Sequence, residues 1–225
     1  MKINWRNEWL QWVLLAGMFL LAALSWHSAP ERIPVHWNIA GEVDRYGGRF
    51  EGLFAIPLLS LAIYLLMLFV PRIDPAKLSH LQHASVYSAI RLAILSFLVV
   101  IYLVVHLAMR GVPVRIEVIV PLLVGVLFLL LGNWMGKIRP NWFLGIRTPW
   151  TLSSRRSWQK THRVGGWIFI FFGFAFMGMA LFSPIKELTP FLFMLLPLGL
   201  VWLVAYSYLE WKRDPERKTT PGAAN

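Results

Sequence analysis

The chain has no cysteine, and charged residues make up only 15% of its 225 residues. The missing cysteines exclude a disulfide framework, thiolate catalysis and a cysteine-based metal site. A typical soluble domain has roughly 25% charged residues, so the low charge content argues against an ordinary water-soluble fold. Hydrophobic residues instead make up 57% of the chain, and its mean hydropathy is +0.58. This composition predicts a protein whose solvent is lipid.

Long apolar runs dominate the chain. Six runs have 18 to 22 residues and contain no Lys, Arg, Asp or Glu: Trp9–Trp26, Leu53–Val70, Leu92–Met109, Val118–Met135, Val164–Phe182 and Leu188–Leu209. This length matches the roughly 20 helical residues needed to cross ~30 Å of hydrocarbon. The runs are continuously apolar, whereas the strands of a membrane barrel alternate. The sequence therefore predicts an all-α, polytopic membrane helix bundle with about six transmembrane helices.

Basic residues are divided unevenly between the two sets of connections. The net charge is +11. If the N-terminus is cytoplasmic, the cytoplasmic segments contain 15 Lys and Arg residues and the outer segments contain six. Cytoplasmic loops of membrane proteins carry such an excess, so we expect both termini on the cytoplasmic side. Because the basic residues lie between apolar runs, we expect no direct contact with nucleic acid.

The first long connection, residues 27–52, is predicted to lie outside the cell. Its prolines favour an extended entry, and its glycines allow tight turns. We identify it as a candidate cap that binds a ligand or peptide. The alternative is a compact loop whose polar side chains satisfy its own backbone. The candidate binding residues of this loop are His36, Asn38, Gly41, Asp44 and Tyr46.

The second long connection, residues 137–163, is predicted to be cytoplasmic and has seven basic residues but no acidic one. Such charges enforce topology and attract anionic lipid, each by about 1 kcal/mol. Topology does not require the prolines, threonines and tryptophans among them. Ser153 or Ser154 is predicted to cap a helix that enters the fifth span and places Trp158 and His162 on one face. The candidate binding or structural residues here are Asn133, Pro140, Asn141, Gly145, Arg147, Thr148, Pro149, Trp150, Thr151, Trp158, His162 and Arg163.

Isolated polar residues outside these loops carry weaker signals. His80 and His83 have i,i+3 spacing, but Asp74 is the one carboxylate near them, so we predict no metal site. His106 lies inside an apolar run, where helix packing is favoured over proton chemistry. Asn133 is expected to form a hydrogen bond across helices.

Recognisable catalytic motifs are absent from the sequence. There is no zinc-protease HExxH, no GxSxG, no phosphate-binding loop and no dinucleotide fingerprint. We therefore assign no catalytic residue and no cofactor, and we favour a binding protein over an enzyme. A membrane enzyme acting on lipid or peptide through the polar residues of either loop stays open. A small-solute transporter also stays open, and it would use Asn133, His106 or Arg91.

Both long connections resemble known bacterial sequences. IPVHWNIAGEVDRYGGR resembles the extracytoplasmic signature of an uncharacterised domain that often precedes SdpI-type sequences. GNWMGKIRPNWFLGIRTPWTLSSRRSWQKTHRVGG resembles the signature of the SdpI family of membrane immunity proteins. We accordingly expect an N-terminal two-span region, residues 1–85, and an SdpI-like four-span region, residues 86–225. Family members often carry acidic residues shortly after TPWTL, where this chain has Arg155 and Arg156.

The resemblance implies function by binding, in the inner membrane of a bacterium. The best-known member of the family protects its producer against a secreted killing peptide and sequesters a transcriptional repressor at the membrane. The implied function is immunity to such a peptide, signalling by sequestering a cytosolic regulator, or both. The expected partners are therefore membrane lipids, a secreted antimicrobial peptide and a cytosolic transcriptional repressor.

Overall fold

The computed structural model describes residues 5–73, 84–182 and 189–216. These residues form seven helices and one two-stranded sheet. The helices are α1 (Trp5–Ser25), α2 (Arg49–Ile73), α3 (Ala84–Met109), α4 (Ile116–Met135), α5 (Pro149–Ser153), α6 (Arg155–Leu181) and α7 (Thr189–Lys212). The strands β1 (Ile33–Trp37) and β2 (Val43–Gly47) pair in antiparallel fashion between α1 and α2.

All the helices except α5 are long and apolar enough to cross a membrane. The prediction of an all-α, six-span bundle is therefore confirmed. Five helices begin earlier than their apolar runs, because the first turns also include polar or charged residues: α1 starts at Trp5, α2 at Arg49, α3 at Ala84, α4 at Ile116 and α6 at Arg155. The predictions for Asp74, His80 and His83 lie outside the described residues.

The spanning helices form two groups of three. In the N-terminal group α1, α2 and α3 contact one another, and in the C-terminal group α4 and α7 both pack against α6. Contacts between α3 and α4 join the groups. The strands and residues 110–115 lie at one end of the bundle, which we call the hairpin side. Residues 136–154 lie at the other end, which we call the loop side.

The hairpin is seated on the N-terminal group by an apolar core. Ile33 of β1 is fully buried against Met18 of α1, Leu53 of α2 and Tyr102 of α3. A Cβ atom at Gly52 would lie 2.6 Å from the Cβ atom of Ile33, so the glycine leaves the space that this side chain occupies. The hairpin is thus a packed part of the bundle, although its sequence was predicted only as a loop with tight turns.

Glycines bring α4 and α6 into close backbone contact. A Cβ atom at Gly132 would lie 2.7 Å from the carbonyl oxygen of Gly166, and one at Gly125 would lie 2.7 Å from that of Gly173. The two glycines on each helix are seven residues apart, so they lie on one face. Membrane helices associate through such small residues, because lipid provides no hydrophobic drive between them. We call these four residues the glycine seam.

Candidate functional site

The loop that joins β1 to β2 is closed by hydrogen bonds between Asn38 and Glu42. The backbone N–H of Asn38 donates to the carbonyl of Glu42 at 2.9 Å, and the N–H of Glu42 donates to Asn38 Oδ1 at 3.0 Å. Asn38 Nδ2 also donates to Glu42 Oε2 at 3.0 Å. Gly41 has a φ angle of +83°, which strains other residues. Asn38 and Gly41 therefore give the hairpin tip one defined shape.

An exposed polar pair lies beside this tip. His36 Nδ1 on β1 is 2.5 Å from Asp44 Oδ1 on β2, and the two side chains are 62% and 43% exposed. Tyr46 is also exposed, and the Arg32 guanidinium lies 5.2 Å from the centre of its ring. The hairpin thus brings the five predicted loop residues together and presents acceptors, donors and an aromatic ring at its surface. A peptide with polar side chains has partners for hydrogen bonding here.

Beneath the hairpin lies an apolar cavity of about 990 Å³. Residues 35–40 line it at the hairpin, and apolar side chains of α3, α4, α6 and α7 line it below. Because these helices come from both groups, the cavity lies where the N-terminal and C-terminal groups meet. It places an apolar binding space directly below an exposed polar surface.

Glu117 is the acidic residue of this cavity. Arg115 Nε donates to Glu117 Oε1 at 3.2 Å, as expected for neighbouring charges at the start of α4. A Cβ atom at Gly41 would lie 2.7 Å from Glu117 Oε2. The hairpin tip therefore meets the C-terminal group at Glu117, and the glycine allows that approach.

His106 ties α3 to α1 near the same end. Its Nε2 atom is 3.0 Å from Ser25 Oγ, and its ring centre is 5.8 Å from that of Tyr102. His106 and Ser25 are both buried. This geometry agrees with the prediction of helix packing for His106.

A buried polar network connects the three helices of the N-terminal group. Arg91 Nη2 donates to Glu8 Oε1, and Arg91 Nε donates to Gln11 Oε1 at 2.7 Å. Tyr64 Oη donates to Glu8 Oε2 at 3.1 Å. Arg91 was noted from the sequence, whereas Glu8 and Gln11 were missed, because nothing in their local sequence links residues some 80 positions apart. The signal that could have identified Glu8 was the position of its carboxylate directly before the first apolar run.

On the loop side, Asn141 organises the turn after α4. Its Nδ2 atom donates to the carbonyls of Arg139 at 2.9 Å and Leu144 at 3.0 Å. Its Oδ1 atom accepts from the backbone N–H of Phe143 at 2.9 Å and that of Leu144 at 2.6 Å. Asparagine is suited to this role because its amide has both donors and acceptors. Asn141 is therefore a structural residue.

His162 holds the next part of this loop against α6. Its Nδ1 atom donates to the carbonyl of Trp158 at 2.8 Å, so Nε2 accepts from the backbone N–H of Ile146 at 3.0 Å. The ring stacks on Trp158 with centres 4.0 Å apart, and Trp158 Nε1 donates to the carbonyl of Ile138 at 2.8 Å. Gly145, with a φ angle of +105°, lies directly against the imidazole.

Thr148 and Thr151 then form a reciprocal cap on α5. The backbone N–H of Thr151 donates to Thr148 Oγ1 at 3.1 Å, and the N–H of Thr148 donates to Thr151 Oγ1 at 2.9 Å. Pro149 occupies the first turn, where a missing N–H costs nothing. Thr148 Oγ1 is also 2.9 Å from Ser207 Oγ on α7. The cap therefore fixes α5 to the C-terminal group.

Ser154, one of the two serines predicted to cap this helix, is the N-cap of α6 and also binds α7. Its Oγ atom accepts from the N–H of Ser157 at 3.0 Å and donates to Asp214 Oδ2. Arg156 Nε donates to Glu210 Oε2 at 3.0 Å. The prediction of a capping serine with Trp158 and His162 on one buried face is confirmed. Asp214 and Glu210 were missed because they lie more than 50 residues further along the chain.

Other predicted loop-side residues are less enclosed. Arg147 is exposed and donates to the carbonyl of Trp142 at 2.8 Å, while Arg163 is exposed on α6. Trp150 packs edge-on against Tyr208 with ring centres 5.2 Å apart, and Pro140 is half-buried. Asn133 is exposed and makes no side-chain hydrogen bond to any described residue. The hydrogen bond across helices expected of Asn133 is therefore absent from the described part of the chain.

Six buried loop-side residues and the exposed Gly145, which lies against His162, form one lock, defined here as Asn141, Gly145, Thr148, Thr151, Ser154, Trp158 and His162. Changing Gly145 to alanine should destabilise the folded protein by about 1–3 kcal/mol, because the Cβ atom meets His162 and the φ angle becomes strained. Thermal unfolding of the detergent-solubilised protein measures this. Gly136→Ala is the matched control, since its φ is −67° and no atom lies within 4 Å of the new Cβ. Equal stability of the two variants would contradict the lock.

The described residues contain no group of three or more His, Asp or Glu side chains arranged to hold a metal ion. Residues 137–207 match the model of the SdpI/YfhL protein family, which spans the loop-side lock and most of α6 and α7. Residues 13–61 match the model of a domain of unknown function (DUF1648), which spans most of α1, the hairpin and half of α2. No curated protein and no solved structure matches the chain.

Proposed function

We propose that this chain, a multi-pass membrane protein whose residues 137–207 match the SdpI/YfhL family and whose residues 13–61 match DUF1648, protects its cell from a secreted killing peptide by binding that peptide. The observation that carries the proposal is the hairpin, which displays the His36–Asp44 pair above an apolar cavity. A membrane-active peptide has both polar and apolar parts. The hairpin offers the His36–Asp44 pair to the polar part and the exposed side chain of Ile39 at its tip to the apolar part.

The proposed orientation places the hairpin side outside the bacterial inner membrane and both termini in the cytoplasm. Its support is the distribution of Lys and Arg, because the loop-side connections carry most of the basic residues. Residues 137–163 alone contribute seven basic residues, whereas the hairpin-side segment 110–115 contributes two. A secreted peptide would then meet the hairpin first.

Cysteine labelling tests this orientation without background, because the chain has no cysteine. Ala40 lies at the exposed hairpin tip, and Ser153 is exposed on the loop side. We expect a membrane-impermeant thiol reagent to label Ala40→Cys in intact cells and Ser153→Cys only after permeabilisation. The reverse pattern would contradict the orientation, and labelling of both positions in intact cells would contradict the topology.

Protection assays test the binding surface. Expression in a susceptible bacterium is expected to raise tolerance to a cognate membrane-active peptide. His36→Ala and Asp44→Asn should each lower that tolerance by about ten-fold, the effect of losing one hydrogen bond to a charged group. Glu31→Gln is the control, since Glu31 is exposed beside the hairpin and lies outside the proposed surface. Equal loss in all three variants, or no loss in any, would exclude the hairpin as the contact.

Sequestration of a cytosolic regulator is the second candidate function. The observation that favours it is a set of exposed basic side chains on the loop side, namely Lys137, Arg155, Lys160 and Arg163. Such a basic surface attracts an acidic partner or anionic lipid. A Lys160→Gln, Arg163→Gln double variant would separate the two functions, because it leaves the hairpin side unchanged.

A further inference from the structure

We propose that the cavity beneath the hairpin binds a zwitterionic aminophospholipid, with an alkyl chain between the two helix groups and its ammonium group at Glu117. This site shares His36 and Asn38 with the hairpin surface proposed to bind the peptide, whereas Asp44 of that surface lies outside the cavity lining. The hairpin side would therefore bind two ligands, a lipid from the bilayer and a peptide from outside the cell.

The walls of the cavity suit an alkyl chain. Its lining on α3 runs from Phe97 to Val105, and its lining on α4 runs from Ile116 to Val124. Eight residues of helix rise about 12 Å, so the apolar space is long. The volume of about 990 Å³ lies at the upper end of the roughly 300–1,000 Å³ typical of small-ligand pockets. Polar side chains occur at the hairpin end, so a bound amphiphile has one orientation.

The hairpin end of the cavity is rich in hydrogen-bond acceptors. The Glu117 carboxylate is one, and Asn38 adds an amide oxygen at the cavity lining. Pro121 has no N–H, so α4 supplies no i+4 donor to the carbonyl of Glu117. An ammonium group carries three donors and a positive charge, which complements this end of the site.

Arg115 supplies the opposite charge next to the ammonium site. Its guanidinium is paired with Glu117 at 3.2 Å and is largely exposed at the start of α4. A guanidinium fork matches a phosphate in geometry and charge. Glu117 and Arg115 together therefore complement both charges of a phosphoethanolamine head group. This charge pattern distinguishes a zwitterionic lipid from an anionic lipid such as phosphatidylglycerol, which has no ammonium group.

The position of the cavity also favours a ligand from the bilayer. Residues 35–40 line its hairpin end, and the remaining lining residues belong to spanning helices. Val120 and Pro121 lie within α4, in the apolar run Val118–Met135. A lipid reaches such a space laterally, whereas a secreted peptide meets the exposed tip first.

Lipid retention measures the proposal directly. The full chain is reconstituted in bilayer discs of phosphatidylglycerol with an equal amount of phosphatidylethanolamine, and retained lipids are counted by native mass spectrometry after mild extraction. We expect one phosphatidylethanolamine retained per chain. Glu117→Gln should reduce its retention about ten-fold, as expected for loss of one charge-assisted hydrogen bond. Val120→Trp fills the cavity and should abolish retention.

The matched control is Val126→Trp, which adds the same side chain to an exposed position of α4 outside the cavity. It should retain phosphatidylethanolamine as the parent does. Equal retention of both lipids by the parent would overturn the proposal, and so would unchanged retention in Val120→Trp. Either result would show that the retained lipid is ordinary lipid from around the protein. Loss of peptide tolerance in Val120→Trp with unchanged lipid retention would make the cavity a peptide site and would also overturn it. The His36→Ala and Asp44→Asn variants test the protection proposal separately, because they change the hairpin and leave the helix walls of the cavity unchanged.

Discussion

Replacing Gly132 with isoleucine is expected to separate α4 from α6 and to abolish the thermally stable fold of the C-terminal group. The new side chain has no space, because its Cβ atom alone would lie 2.7 Å from the carbonyl oxygen of Gly166. The backbone cannot move aside as a flexible side chain can. We therefore expect a loss of stability at or above the upper end of the ~1–3 kcal/mol typical of overpacking. Gly166→Ile should have the same effect from the other helix. The measurement is thermal unfolding of the solubilised protein by circular dichroism and size-exclusion chromatography.

Gly17→Ile on α1 is the control for this experiment. Nothing lies within 4 Å of a Cβ atom at Gly17, and the position is exposed on the bundle surface. The control therefore adds the same branched side chain to a spanning helix without a collision. If Gly132→Ile melts at the same temperature as Gly17→Ile, the glycine seam does not hold the two helices together.

Replacing Arg91 with methionine is expected to be the most damaging single change in the N-terminal group. Arg91 and Glu8 are both buried and paired, so the variant leaves a buried carboxylate without its partner. Breaking such a pair costs about 3–5 kcal/mol. Glu8→Leu should be similarly damaging, because it leaves the guanidinium buried and unpaired. Both changes are measured by thermal unfolding of the solubilised protein.

The double variant Glu8→Leu, Arg91→Met distinguishes an interacting pair of charges from two residues that stabilise the fold independently. Replacing both charges with apolar side chains of similar size removes the uncompensated charge, and such replacements are often close to neutral. We therefore expect the double variant to be more stable than either single variant. Destabilisation equal to the sum of the single effects would show that the residues act independently. It would then contradict the interhelix pair.

The six spans were predictable because each helix must be long and apolar enough to satisfy the bilayer on its own. That requirement is local in sequence. The same holds for the helix cap at Ser154, which depends on residues one turn away. The proximity of polar residues such as His36 and Asp44 was also predictable from the sequence, because a short hairpin brings together residues that are close along the chain.

The interhelix contacts were not predictable from local sequence. The glycine seam depends on which helices become neighbours, and seven-residue spacing within an apolar run has no meaning until α4 meets α6. The Glu8–Arg91 pair and the Ser154–Asp214 bond join residues 83 and 60 positions apart. The cavity likewise exists only where two helix groups meet, so no stretch of sequence encodes it alone.

The loop-side lock changes how the loop-side sequence pattern is interpreted. His162 and Trp158 are buried in hydrogen bonds to the loop backbone, and Thr148 reaches α7. These residues build a rigid platform. In the proposed second function, the exposed arginines and lysines on this platform are the groups that would meet lipid or a cytosolic partner. We therefore attribute the arrangement of polar and aromatic side chains here to structure, and we propose that the peptide binds on the hairpin side.

We propose that the protein acts by binding a secreted peptide in stoichiometric amounts. The same protection assay tests it when expression is varied over a wide range and the peptide is recovered from the medium for mass spectrometry. We predict tolerance proportional to the abundance of the protein, with the recovered peptide chemically unchanged. Full protection at low abundance together with cleaved or modified peptide would contradict the account and identify an enzyme.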